Sequence, residues 1–531
     1  MVSQTVPLTP LSFLRRSADV FSTDVAVVDT GGELISYADL GARAAQLADA
    51  LRAAGVNPGD RVAVLASNTS DLLSAHFGVP GAGAVLVALN TRLGPSEYTY
   101  ILNHSGARTL LVDSALAPAI AAVRDSVSSA LELVELGDGS ALSDAMPYAA
   151  WVAQASTGPG LVSPADENEP IAVNYTSGTS GRPKGVVYTH RGAYLNSLGT
   201  AISFGLTRES RYLWTLPMFH CNGWCFTWGV TAVGGQHICV SKIDYGDVLR
   251  TIAERGVTHF CAAPVVLNGL VNHPDSRSVR YAQRVKVATG GSPPSPATIS
   301  KVRAMGMELT HLYGLTETYG PSLMCEPQAI WSSYDDAALA ATMARQGVRT
   351  VTVENVRVVD ADFRHVPPDG ISVGQIVVRS NSVMVGYLHD DAATNAAFHD
   401  GWLLTGDLAV VHADGYIEIH DRAKDVIITG GENVSSVEVE NVLMSVPGVL
   451  EAAVVGRSDE TWGEVPVAFV TLLDDADVSA QDLVEHVRSQ LAHFKAPRDV
   501  IFTTLPKTST GKIRKSVLRE RVRRSPEAPI S

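Results

Sequence analysis

The chain has 531 residues, enough for two to four domains at roughly 100–200 residues each, and its 46% hydrophobic and 18% charged composition is that of a globular enzyme. A net charge of −14 excludes nucleic acid or an anionic membrane as the main partner, because either favours a basic face. No uncharged apolar stretch approaches the roughly 18 residues that suggest a membrane span, and no basic segment followed by an apolar one opens the chain, so a cytoplasmic protein without integral membrane association is expected.

In chain order, the first strong pattern is a helix over 37–54, with Ser36 as N-cap and Leu40, Ala44, Leu47 and Leu51 recurring at three and four. Strands over 62–65, 84–89 and 109–112 with a helix over 71–77 predict a βαβ framework. Residues 130–168, rich in Ser, Gly, Ala and Pro, carry no motif with a chemical reading.

Residues 175–185 read Y-T-S-G-T-S-G-R-P-K-G after the apolar run Ile171-Ala172-Val173. Glycines at 178, 181 and 185 let the backbone lie close to a ligand; Thr176, Ser177, Thr179 and Ser180 bring hydroxyls and Lys184 a positive charge. Such a loop suits a polyphosphate. It differs from the P-loop of nucleotide triphosphatases, which would place glycine at Pro183 and a hydroxyl residue at Gly185.

Strands then begin near residues 171, 212, 237, 258, 285 and 308, separated by helical patterns. The last of these helices starts at Ser295 as N-cap with Pro296 at its first position, and Gly306 follows its end. This alternation predicts a parallel, doubly wound sheet, with ligands beyond the carboxyl ends of the strands. The loops 176–185, 217–224, 263–264, 289–293 and 313–318 are therefore expected to share one cleft. Cys221 and Cys225, with His220, His237 and Cys239 nearby, lack paired C-x-x-C knuckles and read as core thiols, and five cysteines make no disulfide framework.

After about residue 350 short strands dominate, including a hairpin of 408–412 with 416–420 through Ala413-Asp414-Gly415. The charged run 421–425 reads as a linker. Beyond it come helix 437–444, strands 450–455 and 465–472, helix 480–491, strand 500–503 and helix 516–523, with a basic loop, Pro506 to Lys515, before the last helix. The fold class is α/β: a large N-terminal domain (1–420) of doubly wound βαβ subdomains plus a small β-barrel-like unit, a hinge linker (421–425), and a small mobile α+β C-terminal domain (426–531).

Five motifs, Y-T-S-G-T-S-G-R-P-K-G at 175, Y-G-L-T-E-T at 313, T-G-D-L at 405, D-R-A-K-D-V-I-I-T-G-G-E-N-V at 421 and P-K-T-S-T-G-K at 506, occur in the order and spacing of the adenylate-forming superfamily. Across almost the whole chain the sequence resembles acyl-CoA synthetases, peptide-synthetase adenylation domains and firefly luciferase. P-M-F-H-C-N-G-W at 217 and Y-G-L-T-E-T-Y-G-P at 313 resemble the fatty acyl- and aryl-acid:CoA ligase branch.

The resemblance implies an acid–thiol ligase using ATP, Mg2+ and coenzyme A: a carboxylate attacks the α-phosphorus of ATP, giving acyl-AMP and pyrophosphate, and the coenzyme A thiol then displaces AMP. It implies that Thr176, Ser177, Gly178, Thr179 and Lys184 hold the β- and γ-phosphates, Thr316 the α-phosphate and Glu317 the Mg2+. Tyr313 would stack on adenine beside Gly290, Gly291 and Ser292; Asp407, helped by Arg422, would take the ribose hydroxyls. Lys512 would reach the carboxylate and α-phosphate, and His220 would sit at the mouth of the acyl pocket. Lys424 would be the hinge, and its rotation would present Gly430, Gly431 and Glu432 beside a thiol tunnel. Read singly, Asp407 is a hairpin cap, Glu317 a surface acid, His220 a core histidine and Lys512 part of a solvated basic tail; the ordered motifs argue against all four, His220 least.

The acyl pocket is expected to draw on Asn222, Trp224, Phe226, Ala288, Gly314, Tyr319 and Cys325. None pairs a second carboxylate or a substrate amino group, so an uncharged acid is expected, a medium- or long-chain fatty acid or an aryl acid, with room left by Ala288 and Gly314. A carrier-protein thiol, an amine or another nitrogen nucleophile stays open as alternative acceptor, and oligomeric state, a homodimer included, stays open as well.

Overall fold

A computed structural model describes residues 5–127, 131–137, 141–176, 182–292, 294–422, 424–473, 476–508 and 511–524. Among these, the strands form four sheets. One eight-stranded sheet runs, edge to edge, Gly386–Tyr387, Gly185–Thr189, Pro170–Tyr175, Val85–Ala88, Arg61–Leu65, Thr109–Asp113, Glu132–Leu136 and Met146–Pro147. A nine-stranded sheet is built around parallel strands Met307–Leu315, Val285–Thr289, His259–Ala262, Arg211–Leu213, Gln236–Ile238 and Val25–Val28. These strands are buried on both faces, which is why they read as unbroken apolar runs.

The helix Tyr37–Ala53 begins at Ser36, whose hydroxyl accepts the Asp39 N–H while Asp39 reaches back in a capping box. Its Leu40, Ala44, Leu47 and Leu51 are buried as the spacing predicts. It packs on the helix Ser70–Gly81, which is longer than the expected 71–77 and takes Pro80 into its last turn.

Three expectations need correction. The strand at 170–175 does not begin the second sheet: it lies parallel to Val85–Ala88 in the first, while Val25–Val28, near the chain start, crosses to the second. The stretch between the strands near 171 and 212, read as helical pattern only, opens with a further strand, Gly185–Thr189, which the glycine-rich segment joins antiparallel to Pro170–Tyr175. The first two residues of the expected linker, Asp421 and Arg422, continue the strand Ile417–Arg422.

The β unit after residue 350 is a five-stranded antiparallel sheet, with the expected hairpin formed by Trp402–Val411 and Ile417–Arg422. The last sheet holds Val449–Asp459, Gly463–Leu472, Asp499–Phe502 and a hairpin of Ile427–Thr429 with Glu432–Val434; helices Ser436–Met444, Ala480–Gln490 and Lys515–Arg524 follow the predicted order. No helix among the described residues is long and apolar enough to cross a membrane.

Histidines withdrawn from solvent recur in the large domain, on strands (His237, His259, His311), on helices (His76, His190) and, partly buried, before a helix (His220). The His237 ring accepts the Trp214 Nε1–H at Nδ1 (3.1 Å), which leaves its proton on Nε2 for the Thr231 hydroxyl (3.0 Å). Burial lowers the pKa of His76, His190, His259 and His311 to about 4 and of His220 and His237 to about 3. The unfolded chain takes up protons below its ordinary histidine value near 6.5, whereas the folded chain refuses them until far lower pH. Stability is therefore complete above about pH 6.5 and is lost as pH falls toward 4. Thermal unfolding followed across this range checks it: the midpoint falls steadily below pH 6.5, and a flat midpoint from 6.5 to 5 contradicts the account.

Candidate functional site

A cavity of about 730 Å³ lies where both parallel sheets, the small β unit and the C-terminal segment meet. Four of the five loops expected to converge supply wall residues: Thr176, Arg182 and Lys184; Phe219, His220, Cys221 and Trp224; Gly291; and Gly314, Leu315, Thr316 and Glu317. The fifth loop, at Ala263, instead meets the lysine-bearing loop, where a Cβ on Gly511 would come within 2.7 Å of Val265. Asp407, Arg422, Lys424, Thr508, Lys512 and Arg514 close the wall. Six cationic side chains (Arg182, Lys184, Arg422, Lys424, Lys512, Arg514) face four carboxylates (Glu97, Glu317, Asp390, Asp407), so the cavity is locally positive in an acidic protein. Ser177, Gly178 and Thr179 lie outside the described residues.

Thr316 and Glu317 sit on a short 3-10 turn, Thr316–Thr318, at the carboxyl end of Met307–Leu315. The Thr318 hydroxyl accepts the Leu315 N–H (2.9 Å), and Tyr319 follows in the left-handed region (φ 63°). The Tyr188 hydroxyl donates to the Thr316 carbonyl (2.7 Å), and the Tyr188 and Tyr319 rings stack at 3.8 Å. The turn is thus fixed from beneath. Thr176 and Lys184 face each other across the glycine hairpin, the Thr176 N–H donating to the Lys184 carbonyl (2.9 Å).

Asp407 is nearly buried and engaged at both oxygens: the Tyr313 hydroxyl donates to Oδ2 (2.7 Å) and Arg422 Nε lies 3.0 Å from Oδ1. Tyr313, expected to face adenine, is itself buried, is absent from the cavity wall and serves to orient Asp407. Of its expected companions, Gly291 lines the cavity, Gly290 is buried beside it and Ser292 is exposed outside it.

Lys512 crosses from the C-terminal segment so far that a Cβ on Gly291 would meet its Cε at 3.0 Å. Burial, and next the Arg422 guanidinium, lower its ammonium pKa, while Cys221, Asp407 and Glu317 oppose the shift. The His220 ring is held neutral, its pKa near 3, by burial and then by Lys512. A neutral ring beside an ammonium is an acceptor or a polar wall.

Residues 221–225 form a left-handed turn, with φ between 49° and 62° at Cys221, Asn222, Gly223, Trp224 and Cys225. Each non-glycine residue costs ~1–2 kcal/mol in that region. The strain is offset locally: Asn174 Nδ2 donates to Asn222 Oδ1 (2.7 Å), and the Thr227 hydroxyl donates to the Asn222 carbonyl (3.0 Å). The turn aims Trp224 at the cavity between two glycines, since a Cβ at Gly290 would approach the indole to 3.0 Å and one at Gly320 to 3.2 Å.

Of the expected acyl-pocket residues, Trp224 and Gly314 reach the wall. Phe226 packs against Tyr212 and Phe204, Tyr319 against Tyr188, and Cys325 donates to the Thr342 carbonyl; Ala288 and Asn222 are fully buried off the wall. Five of the seven are therefore core residues, placed one layer too deep by proximity in sequence. Gly314 leaves no room, because a Cβ there would lie 1.8 Å from the Gly320 carbonyl oxygen. Lys424 lines the cavity, whereas Gly430, Gly431 and Glu432 form the exposed tip of the hairpin Ile427–Val434, away from it. Sequence reasoning missed Arg182, Tyr387, Thr405 and Arg514 on the wall; Arg182 and Thr405 stand inside motifs already singled out and Arg514 inside the basic loop Pro506 to Lys515, so these three were legible there.

The profile of the AMP-binding enzyme family matches residues 14–388, and that of the AMP-binding enzyme C-terminal domain residues 438–512. The chain is 43% identical to an acetate–CoA ligase, CCL3, of Humulus lupulus, over 97% of this chain and 95% of that one. It is 39% identical to 4-hydroxybutyrate–CoA ligase 2 of Metallosphaera sedula, over 96% and 94%. Among solved structures it is similar to ATP-bound MatB from Rhodopseudomonas palustris, with a TM-score of 0.86 and 27% identity over 97% and 99% of the two chains. Matches of this extent, together with the convergence of the five motifs on one cavity, establish that the chain belongs to the AMP-binding enzyme family and is an acid–thiol ligase.

Proposed function

We propose that the protein is a cytoplasmic ligase that joins a short, uncharged carboxylic acid to coenzyme A at the expense of ATP. The observation that carries the acid's size is Trp224. Its indole, wedged between Gly290 and Gly320, stands on the cavity wall, while the room expected at Ala288 and Gly314 for a ring or a medium chain is not open, Ala288 lying off the wall and Gly314 being closed by the Gly320 carbonyl. Relatives named for acetate and 4-hydroxybutyrate support the same reading. The five cysteines, all unpaired and buried, suit a reducing compartment.

In the first step a carboxylate oxygen of the acid forms a bond to the α-phosphorus, the α–β phosphoanhydride bond breaks, and pyrophosphate departs with the electron pair. Thr176 and Lys184 hold the terminal phosphates, Thr316 and Lys512 the α-phosphate and the incoming carboxylate, and Asp407 the ribose hydroxyls through lone pairs not taken by Tyr313 and Arg422. One well-placed donor contributes roughly 10²–10³ in rate to such a step. Mg2+ takes one or two carboxylates beside substrate phosphates, and Glu317 fits: one described residue, Tyr387, bonds its Oε1. When bound, the ion neutralises charge on the leaving pyrophosphate. In the second step the thiol attacks the acyl carbon and AMP leaves, after the unit beyond the hinge at Lys424 rotates and withdraws Lys512.

Incubation of ATP and Mg2+ with a panel from acetate to octanoate and cinnamate, with coenzyme A or hydroxylamine as acceptor, tests the proposal. Thioesters of the shortest acids are expected to dominate; hydroxamates formed in the absence of any thioester leave the adenylate step standing and overturn coenzyme A as the acceptor. Trp224→Ala moves the preference toward longer acids by about tenfold or more in relative kcat/KM, since one methylene in a pocket is worth ~1–3 kcal/mol, and an unchanged profile removes Trp224 as the length gauge. Lys512→Ala abolishes adenylate formation yet leaves thiol transfer from a pre-made acyl-adenylate largely intact. Equal loss of both half-reactions refutes that role.

A further inference from the structure

We propose that Tyr387 is a positioning residue that sets both the metal-facing carboxylate Glu317 and the phosphate-facing ammonium Lys184; this rests on the reading of the site given above. The Tyr387 hydroxyl donates to Glu317 Oε1 (2.8 Å), and Lys184 Nζ stands 4.5 Å from the centre of the same ring. One side chain thus holds an acid by its edge and a base by its face.

The backbone around it is stitched to both partners. The Met384 N–H donates to the Glu317 carbonyl (2.8 Å) and the Leu388 N–H to the Gly185 carbonyl (2.7 Å). Tyr387 pairs in register with Val186 on the strand that leaves the glycine hairpin. Its N–H is taken by the Thr394 hydroxyl (2.9 Å), and a Cβ on the preceding Gly386 would strike Thr394 at 2.7 Å, so the ring's origin is fixed.

The chemistry of these two contacts distinguishes them from ordinary packing. Three lysines of the C-terminal segment, by contrast, are tied directly to carboxylates: Lys495 with Glu438, Lys507 with Glu451, Lys515 with Glu440. Among the described residues Lys184 has no carboxylate partner, although Glu317 is reached through the same ring. A π face steadies an ammonium without consuming its three N–H donors. A neutral phenol likewise orients a carboxylate without cancelling its charge. Tyr387 therefore keeps two opposite charges apart and available, one for a divalent cation and one for the phosphates that carry it.

Binding of ATP and of AMP to the full-length protein, by titration calorimetry with and without Mg2+ and with no acid present, tests this. In Tyr387→Phe the ring stays and the hydroxyl goes: the gain in ATP affinity that Mg2+ confers is expected to fall about tenfold, the loss of one hydrogen bond to a charged group, while AMP affinity matches the wild type. In Tyr387→Leu the metal-free affinity for ATP falls as well, because Lys184 loses its support. A Tyr387→Phe protein with the full Mg2+ gain overturns the proposal, and so does an equal loss for ATP and AMP, which assigns the tyrosine to packing alone. Wild-type protein that binds ATP with no gain from Mg2+ overturns the reading of the site and the positioning role together.

Discussion

Two anions have to be brought into contact inside a protein that is itself strongly acidic, and that constraint organises the molecule. At ~4 Å and an effective dielectric of ~20, each pair of like unit charges repels by about 4 kcal/mol. A triphosphate and a carboxylate present several such pairs. The answer is local: cationic side chains from distant parts of the chain, Lys184 from the glycine hairpin, Arg422 from the end of the β unit and Lys512 from the C-terminal segment, meet at one cavity. None of these comes from the same sheet or loop as another. The convergence depends on how the sheets are assembled, and the loops at their strand ends follow from it.

Burial makes that convergence strong and also exacting. Two carboxylates that stand among the cations are oriented by neutral phenols, Glu317 by Tyr387 and Asp407 by Tyr313, and Asp407 pairs directly with Arg422 as well. The left-handed turn at 221–225 is strained backbone at the cavity wall, kept in place by buried amide and hydroxyl hydrogen bonds. It points a rigid indole into the cavity.

Much of this was legible in the sequence, and unevenly so. Elements with strong local signals came through: the Ser36-capped helix Tyr37–Ala53, the helix Pro296–Ala304 with its Ser295 cap, and the helices and strands after residue 435, whose order was read throughout. Motif residues such as Thr176, Thr316, Glu317, Asp407 and Lys512 were found because their chemistry is dense within a few positions, and the fold gathers them. What could not be read was partnership. Nothing local in Pro170–Tyr175 or Val25–Val28 says which of two parallel sheets each joins, since both are short apolar runs buried on two faces. Adjacency in sequence also misled the choice of acyl-pocket residues, because alternate positions such as Ala288, Phe226 and Tyr319 turn into the core. The role of Trp224 needed the left-handed turn, which no propensity announces, and Tyr387 carries no motif chemistry at all.

The central claim is that this cavity makes a mixed anhydride between an acid and AMP before any thiol is involved. Exchange of labelled pyrophosphate into ATP, measured without coenzyme A, reports that step alone. The account predicts exchange that requires both Mg2+ and a short carboxylic acid and saturates with each. Tight binding of ATP with no acid-dependent exchange across the panel would contradict it.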